Sequence, residues 1–212
     1  MVQDSDDARL FIELSSYAVD LVEARDALAL AQQSAATADS PLQSAERSLI
    51  ANATMAYCRT FFLSRARRPI TTFVQIPAQV SATHDLVARF RNRTIAHSQS
   101  ELSVTCAVGV LDADTLAVLD VSAPNISSTM PPEQVRNFSE LVAAVMAELD
   151  EVIAPVRTRL MATLAAADRA ALLEAGLSPT ARMLPATEFG SPRSRPSYPT
   201  TYPIYVGDGT SQ

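Results

Sequence analysis

The chain has 212 residues, enough for one domain or for one domain with an extension. Hydrophobic residues make up 48% of it and only five residues are glycine, a profile that favours helices over sheets. The net charge is −6, so the surface as a whole does not attract polyanions, and the absence of lysine excludes a Walker phosphate loop, a Schiff-base lysine and a lysine general base.

Apolar residues at helical spacing predict three helices in the first half of the chain. The first covers residues 8–34. The second is expected to begin at an N-cap, Asp39 or Ser40, and to run to about Arg65. The third is expected to follow an N-cap at Ser81. The residues expected to face the core of these helices are Leu10, Leu14, Tyr17, Leu21, Leu28, Leu49, Ala53, Tyr57, Phe61, Leu86, Val87 and Phe90.

A change of period after the third helix predicts a short β-hairpin. Apolar residues alternate with small or polar ones from Leu102 to Val110, as they do in a strand. Asp112 and Asp114 belong to a turn-like segment, and Thr115–Val121 is a second run that favours strand.

The last long helix is expected to open at Pro131-Pro132, and Pro155 is expected to kink it. Its apolar residues step by three and four, the 3.5-residue period of a coiled-coil seam. This stripe is either the core face of a four-helix bundle or a dimer seam. Its members are Val135, Phe138, Val142, Val145, Leu149, Val152 and Val156.

Residues 177–212 are rich in proline, serine and threonine, and no helical or strand period persists in them. We therefore expect an irregular tail, 177–212, behind a helical domain, 1–176. Tyr198, Tyr202 and Tyr205 could dock on a partner as parts of an extended segment, and simple disorder is the alternative.

The remaining composition predicts a soluble, cytoplasmic protein with no membrane partner. The acidic start, Asp4 to Asp7, stands where a secretory signal needs positive charge, and no apolar run approaches membrane-spanning length. Cys58 and Cys106 form no metal-ligand spacing and no disulfide framework. The sequence has no Gly-rich dinucleotide loop and no paired-His metal helix, so we expect neither cofactor nor metal.

The most specific motif is Arg91-Asn92 followed by His97, at the end of the third helix. An arginine stays charged and its planar fork matches two phosphate oxygens, whereas a histidine can exchange protons near neutral pH. Asn92 could orient a substrate or hold His97 in one tautomer. Six residues at about 100° each place Arg91 and His97 about 120° apart on an unbroken helix. They can meet only if the helix ends between them, or across a dimer axis.

This Arg-polar-(x)4-His pattern resembles the active-site signature of the HEPN superfamily, whose members are small helical bundles and in many cases metal-independent ribonucleases. The resemblance implies a mainly α fold, a HEPN-like four-helix bundle, to which the sequence pattern adds the hairpin after the motif helix and the irregular tail. It also implies a homodimer with both motifs lining one cleft. A role in a toxin–antitoxin or phage-defence system follows, with a protein antitoxin or a nucleotidyltransferase as partner.

Arginines are concentrated around this motif, with one acid, Asp85, among them. They form either an RNA-binding patch or a helix face paired with acids of other helices. The arginines expected to bind RNA beside Arg91 are Arg59, Arg65, Arg67, Arg68, Arg89 and Arg93.

Three functions remain open at this point. The first is a metal-independent endoribonuclease that uses Arg91, Asn92 and His97. The second is a non-catalytic HEPN-like module that binds RNA or a nucleotide. The third is a helical scaffold whose tail recruits a partner. The second histidine, His84, is expected to be a surface or capping residue near a helix start.

Overall fold

The computed structural model describes residues 1–36, 45–62, 67–95, 102–168, 170, 178–193 and 195–207. Over these residues the chain is mostly helical, with four α-helices and three small two-stranded sheets. The helices are α1 (Asp6–Ala36), α2 (Glu46–Arg59), α3 (Ser81–Phe90) and α4 (Pro132–Ala166). The predicted helical class is confirmed.

Helix α1 starts two residues before the predicted position because its first turn is well capped. The Ala8 amide donates to the Ser5 hydroxyl, and two acids, Asp6 and Asp7, stand where the helix dipole is positive. The predicted apolar face is buried at Leu14, Tyr17, Leu21 and Leu28, whereas Leu10 is half-buried.

Helix α2 ends at Arg59, six residues earlier than predicted. The Thr60 amide and the Thr60 hydroxyl both donate to the Tyr57 carbonyl oxygen, which closes the last turn. Ala53 and Tyr57 are buried as predicted. The predicted N-cap, Asp39 or Ser40, lies outside the described residues.

Helix α3 is preceded by a 3-10 turn, Ala78–Val80. Ser81 is not its N-cap, contrary to the prediction, because the Ser81 hydroxyl donates backwards to the Ala78 carbonyl oxygen instead of receiving a helix amide. Val87 is fully buried, and Leu86 and Phe90 are only half-buried.

The predicted hairpin is present as a long two-stranded ribbon. Strands β1 (Ser103–Thr105) and β2 (Val108–Leu111) run antiparallel to β4 (Asn125–Ser127) and β3 (Val118–Ser122). Asp112 closes the turn, since its Oδ1 accepts from the Asp114 amide and from the amide and hydroxyl of Thr115. Alternation of this kind is typical of a strand with one covered face, yet β2 and β3 are exposed on both faces.

Helix α4 continues through Pro155, although proline has no amide to donate to the Glu151 carbonyl oxygen. Its apolar stripe is buried within the single chain, except at Val152, which is half-buried. The stripe is therefore the core face and not a dimer seam.

The described residues of the C-terminal segment include two paired strands, which corrects the prediction of a tail without strands. Strand β5 (Thr180–Pro185) pairs in parallel with β6 (Thr201–Val206). Leu184 is buried, and the Phe189 and Tyr205 rings meet edge to face at 5.1 Å. The sequence did not predict these strands because Pro185 and Pro203 interrupt the two runs, and proline within a run argues against a strand.

The chain divides into two compact units. One unit contains Met1–Val19, Phe61–Gln75 and Ala147–Gln212, and the other contains Asp20–Thr60 and Ile76–Met146. Within the first unit, the Tyr198 hydroxyl donates to the Val2 carbonyl oxygen. The predicted domain boundary at residue 176 falls outside the described residues and stays a prediction.

None of the helices in the described ranges combines the length and the apolar character that a membrane span requires.

Replacing Phe138 by alanine should lower the free energy of unfolding by about 3–5 kcal/mol, because the side chain is fully buried and its ring contacts Tyr57 edge to face. Val118→Ala is the matched control on the ribbon, where the side chain is 71% exposed, and should change stability by less than about 0.5 kcal/mol. Urea denaturation followed by circular dichroism measures both. Equal losses would contradict this assignment of the core.

Deleting residues 177–212 should leave the helices folded and lower Tm by only a few degrees, because the described part of this segment buries little beyond Leu184. Thermal melts of the full and shortened chains measure the shift. Insoluble shortened protein would show that the segment completes the core of its unit.

Candidate functional site

The motif lies where the backbone changes its hydrogen-bonding pattern. Helix α3 ends at Phe90, and Arg91–Ile95 form a π-helical turn. Short π-helical turns often occur at functional sites. Arg91 and Asn92 are both described, whereas His97 lies outside the described residues. The α-helical hydrogen-bonding pattern therefore ends at Phe90, immediately before Arg91.

Arg91 is half-buried beside α2. Its Nη1 donates to Asn92 Oδ1 at 2.9 Å, so the two residues of the motif hold each other. Burial raises the pKa of the Cys58 thiol to about 11, and the positive charge of Arg91 acts in the opposite direction.

His84 is held by α2, so the prediction that it is a surface or capping residue is wrong. Its Nδ1 lies 2.9 Å from the hydroxyl of Tyr57, whose side chain is fully buried. The two rings meet edge to face, with centroids 5.9 Å apart. Burial lowers the pKa of His84, and the neighbouring Asp85 carboxylate opposes that shift. Tyr57 and His84 are 27 positions apart in sequence, so no local pattern could predict their contact.

Part of the predicted RNA-binding patch is paired with acids of α1. Arg59 forms ion pairs with Asp20, at 3.0 Å, and with Glu23. In the other unit, Arg68 forms an ion pair with Glu13 at 2.6 Å. The alternative of paired helix faces therefore applies to these two arginines.

Arg67 is also engaged within its own unit. It donates to the Ser16 carbonyl oxygen at 3.0 Å, and its guanidinium lies 4.9 Å from the centroid of the Tyr17 ring. Arg65 lies outside the described residues.

Arg89 and Arg93 differ from these arginines. Both side chains are exposed, and within the described part of the chain neither makes a hydrogen bond or an ion pair. They stand four positions apart across the junction of α3 and the π-helical turn, and both line one cleft of about 400 Å³. These two predicted RNA-binding residues are therefore brought together and remain available.

The cleft also has an apolar wall and two neutral polar groups. One side comes from α3 and its π-helical turn, and the other from the base of the ribbon and the start of α4. The further lining residues are Leu86, Phe90, Thr94, Leu102, Met130, Pro131 and Gln134. Such a combination can bind an anion that carries an apolar or aromatic part. No local pattern in the sequence pointed to the second side, because it depends on how α4 packs.

No protein-family model, no curated protein and no solved structure matches this chain.

Within the described ranges, no three His, Cys, Asp or Glu side chains are grouped so that they could hold a metal ion.

The lowered pKa of His84 predicts a pH-dependent stability. The unfolded chain, with a histidine pKa near 6.5, binds the proton more readily than the folded chain. The contribution of neutral His84 to the free energy of unfolding is therefore fully present above about pH 6.5. It is lost as the pH falls from there through the folded-state pKa of His84.

Urea denaturation at several pH values in this window gives the free energy of unfolding as a function of pH. This free energy should change less with pH in His84→Gln than in the wild type. His97→Gln is the control for the other histidine and should keep the contribution of His84. An unchanged pH dependence in His84→Gln would show that burial of His84 does not disfavour its charged form.

Proposed function

We propose that this protein is a metal-independent endoribonuclease of the HEPN type, with its site on Arg91, Asn92 and His97 and with a HEPN-like helical bundle as its scaffold. The observation that carries the proposal is the availability of charge beside the motif. Arg89 and Arg93 flank Arg91 in sequence and are exposed without acidic partners among the described residues. A polyanionic substrate supplies the negative charge that this surface lacks.

The proposed chemistry follows from the properties of the side chains. His97 takes the proton from the ribose 2′-hydroxyl and, once protonated, delivers a proton to the departing 5′-oxygen. The 2′-oxygen attacks phosphorus, the bond to the 5′-oxygen breaks, and the products are a 2′,3′-cyclic phosphate and a 5′-hydroxyl. Arg91 stabilises the negative charge on the phosphoryl oxygens. DNA, which lacks the 2′-hydroxyl, is not cleaved.

Asn92 has a positioning role in this proposal. Its Oδ1 accepts from Arg91 and so limits the rotation of the guanidinium, while its side-chain amide NH2 remains a donor for a substrate oxygen. Holding a charged group in place before the reaction reduces the reorganisation that the reaction requires.

The proposal includes a homodimer, because Arg91 and His97 from two copies can complete one cleft. Since the stripe of α4 is buried within one chain, the dimer uses another surface. The setting is a toxin or phage-defence effector, with a protein antitoxin or a nucleotidyltransferase as partner.

A second candidate is a non-catalytic module that binds RNA or a nucleotide. The cleft that Arg89 and Arg93 line favours it, since this cleft does not require His97.

Arg91→Ala and His97→Ala should each lower RNA cleavage by at least about a hundredfold, the scale of a lost electrostatic or proton-transfer group. Both variants should keep the helical circular dichroism spectrum. Arg157→Ala removes an exposed arginine of α4 and is the matched control, which should cleave at the wild-type rate. Wild-type cleavage by a purified, folded His97→Ala protein would refute the proposal.

Cleavage should continue in excess EDTA and should leave cyclic phosphate ends, because the proposed reaction needs only side-chain groups and the ribose hydroxyl. End-group analysis of a short RNA by mass spectrometry measures this. A requirement for magnesium, or products with 3′-hydroxyl ends, would contradict the mechanism.

A further inference from the structure

The cleft beside the motif is lined by two like charges, Arg89 and Arg93. Arg89 and Arg93 lie four positions apart, an arrangement that destabilises a helix through repulsion. Among the described residues, no acid pairs with either of them. Elsewhere in the same unit, Arg59 has its carboxylates from α1. An anionic ligand would remove the repulsion between Arg89 and Arg93.

The apolar wall of the cleft limits which anions fit it. Phe90, next to Arg89 in sequence, lines the cleft, and Leu102 and Met130 line it as well. An inorganic phosphate or a sulfate needs no apolar wall. A planar aromatic ring attached to a phosphate uses both features, because bases stack on aromatic side chains while arginines bind phosphate oxygens.

The volume agrees with one such unit. The cleft measures about 400 Å³, within the range of pockets that bind small ligands and cofactors. Gln134 lies at the start of α4 and lines the cleft, and its side-chain amide can both donate to and accept from the edge of a base. The cleft thus offers arginines for the phosphate, Phe90 for the face of the base and Gln134 for the edge of the base.

We infer that this cleft binds one nucleotide unit of a single-stranded nucleic acid, with the phosphate between Arg89 and Arg93 and the base against Phe90. Gln134 is the residue that faces the base edge and sets base preference. The choice of an RNA strand as the source of this nucleotide rests on the proposed function. A free mononucleotide carries the same phosphate and base and could make the same contacts. Arg91 does not line this cleft, so the bound unit is a neighbour of the nucleotide that is cleaved.

The test measures binding without cleavage. A fluorescent single-stranded DNA oligonucleotide lacks the 2′-hydroxyl and keeps the phosphates and bases, so fluorescence anisotropy reports binding alone. The double variant Arg89→Ala/Arg93→Ala should weaken binding at least tenfold. It should also reduce the dependence of log Kd on log salt by about one unit for each phosphate that the variant no longer binds. Arg157→Ala should match the wild type.

Phe90→Leu separates a nucleotide site from a plain anion site. Leucine keeps the apolar bulk and removes the aromatic ring, so binding should fall about tenfold while the salt dependence stays unchanged. Normal binding by Phe90→Leu would overturn the base contact. Normal binding by the double arginine variant would overturn the whole inference. All these residues are exposed or half-buried, so the circular dichroism spectrum should not change.

Two further measurements identify the source of the ligand and distinguish a failure of the proposed nuclease from a failure of the proposed binding site. Competition by a mononucleotide as strong as that by the oligonucleotide would assign the cleft to free nucleotides, and weak competition would assign it to a strand. His97→Ala should bind the oligonucleotide like the wild type. If His97→Ala still cleaves RNA, the proposed nuclease fails and the binding site stands. If the arginine variant binds normally while His97→Ala is inactive, the binding site alone fails.

Discussion

The position of Tyr57 determines the geometry on which the candidate site depends. Its ring is fully buried and contacts Phe138 of α4 edge to face at 5.5 Å, and its hydroxyl lies 2.9 Å from His84 at the start of α3. One side chain of α2 thus fixes both helices that border the cleft. The contact between the Tyr57 and Phe138 rings sets the distance between α2 and α4. The hydrogen bond between Tyr57 and His84 sets the rotation of α3 about its own axis.

The acids of α1 decide which arginines remain available. Arg59 pairs with Asp20 and Glu23, and Arg68 pairs with Glu13. Arg89 and Arg93 stay open to solvent. A net-negative chain can therefore present a local positive surface, because its acids pair with other arginines. Ionic strength therefore affects the affinity of this site for a polyanion much more than it affects the free energy of unfolding of the chain.

Local patterns predicted elements better than they predicted burial. The 3-4 stepping of α4 predicted both the helix and its buried face, since a helix that carries one apolar stripe must cover it. The alternation around Val104 and Val108 predicted strands correctly, but it did not show that the single chain leaves these valines exposed. Strands β5 and β6 were missed because their pairing joins segments about twenty positions apart.

The sequence by itself determined the helical class, the hairpin after the third helix and the motif Arg91-Asn92, because each depends on residues close together in the chain. Only the tertiary structure decided which arginines are paired, that His84 bonds to Tyr57, and that Arg89, Phe90 and Gln134 line one cleft. These interactions join residues that lie far apart in sequence. Their geometry follows from how the helices pack, and periodicity carries no information about the partner that a side chain meets.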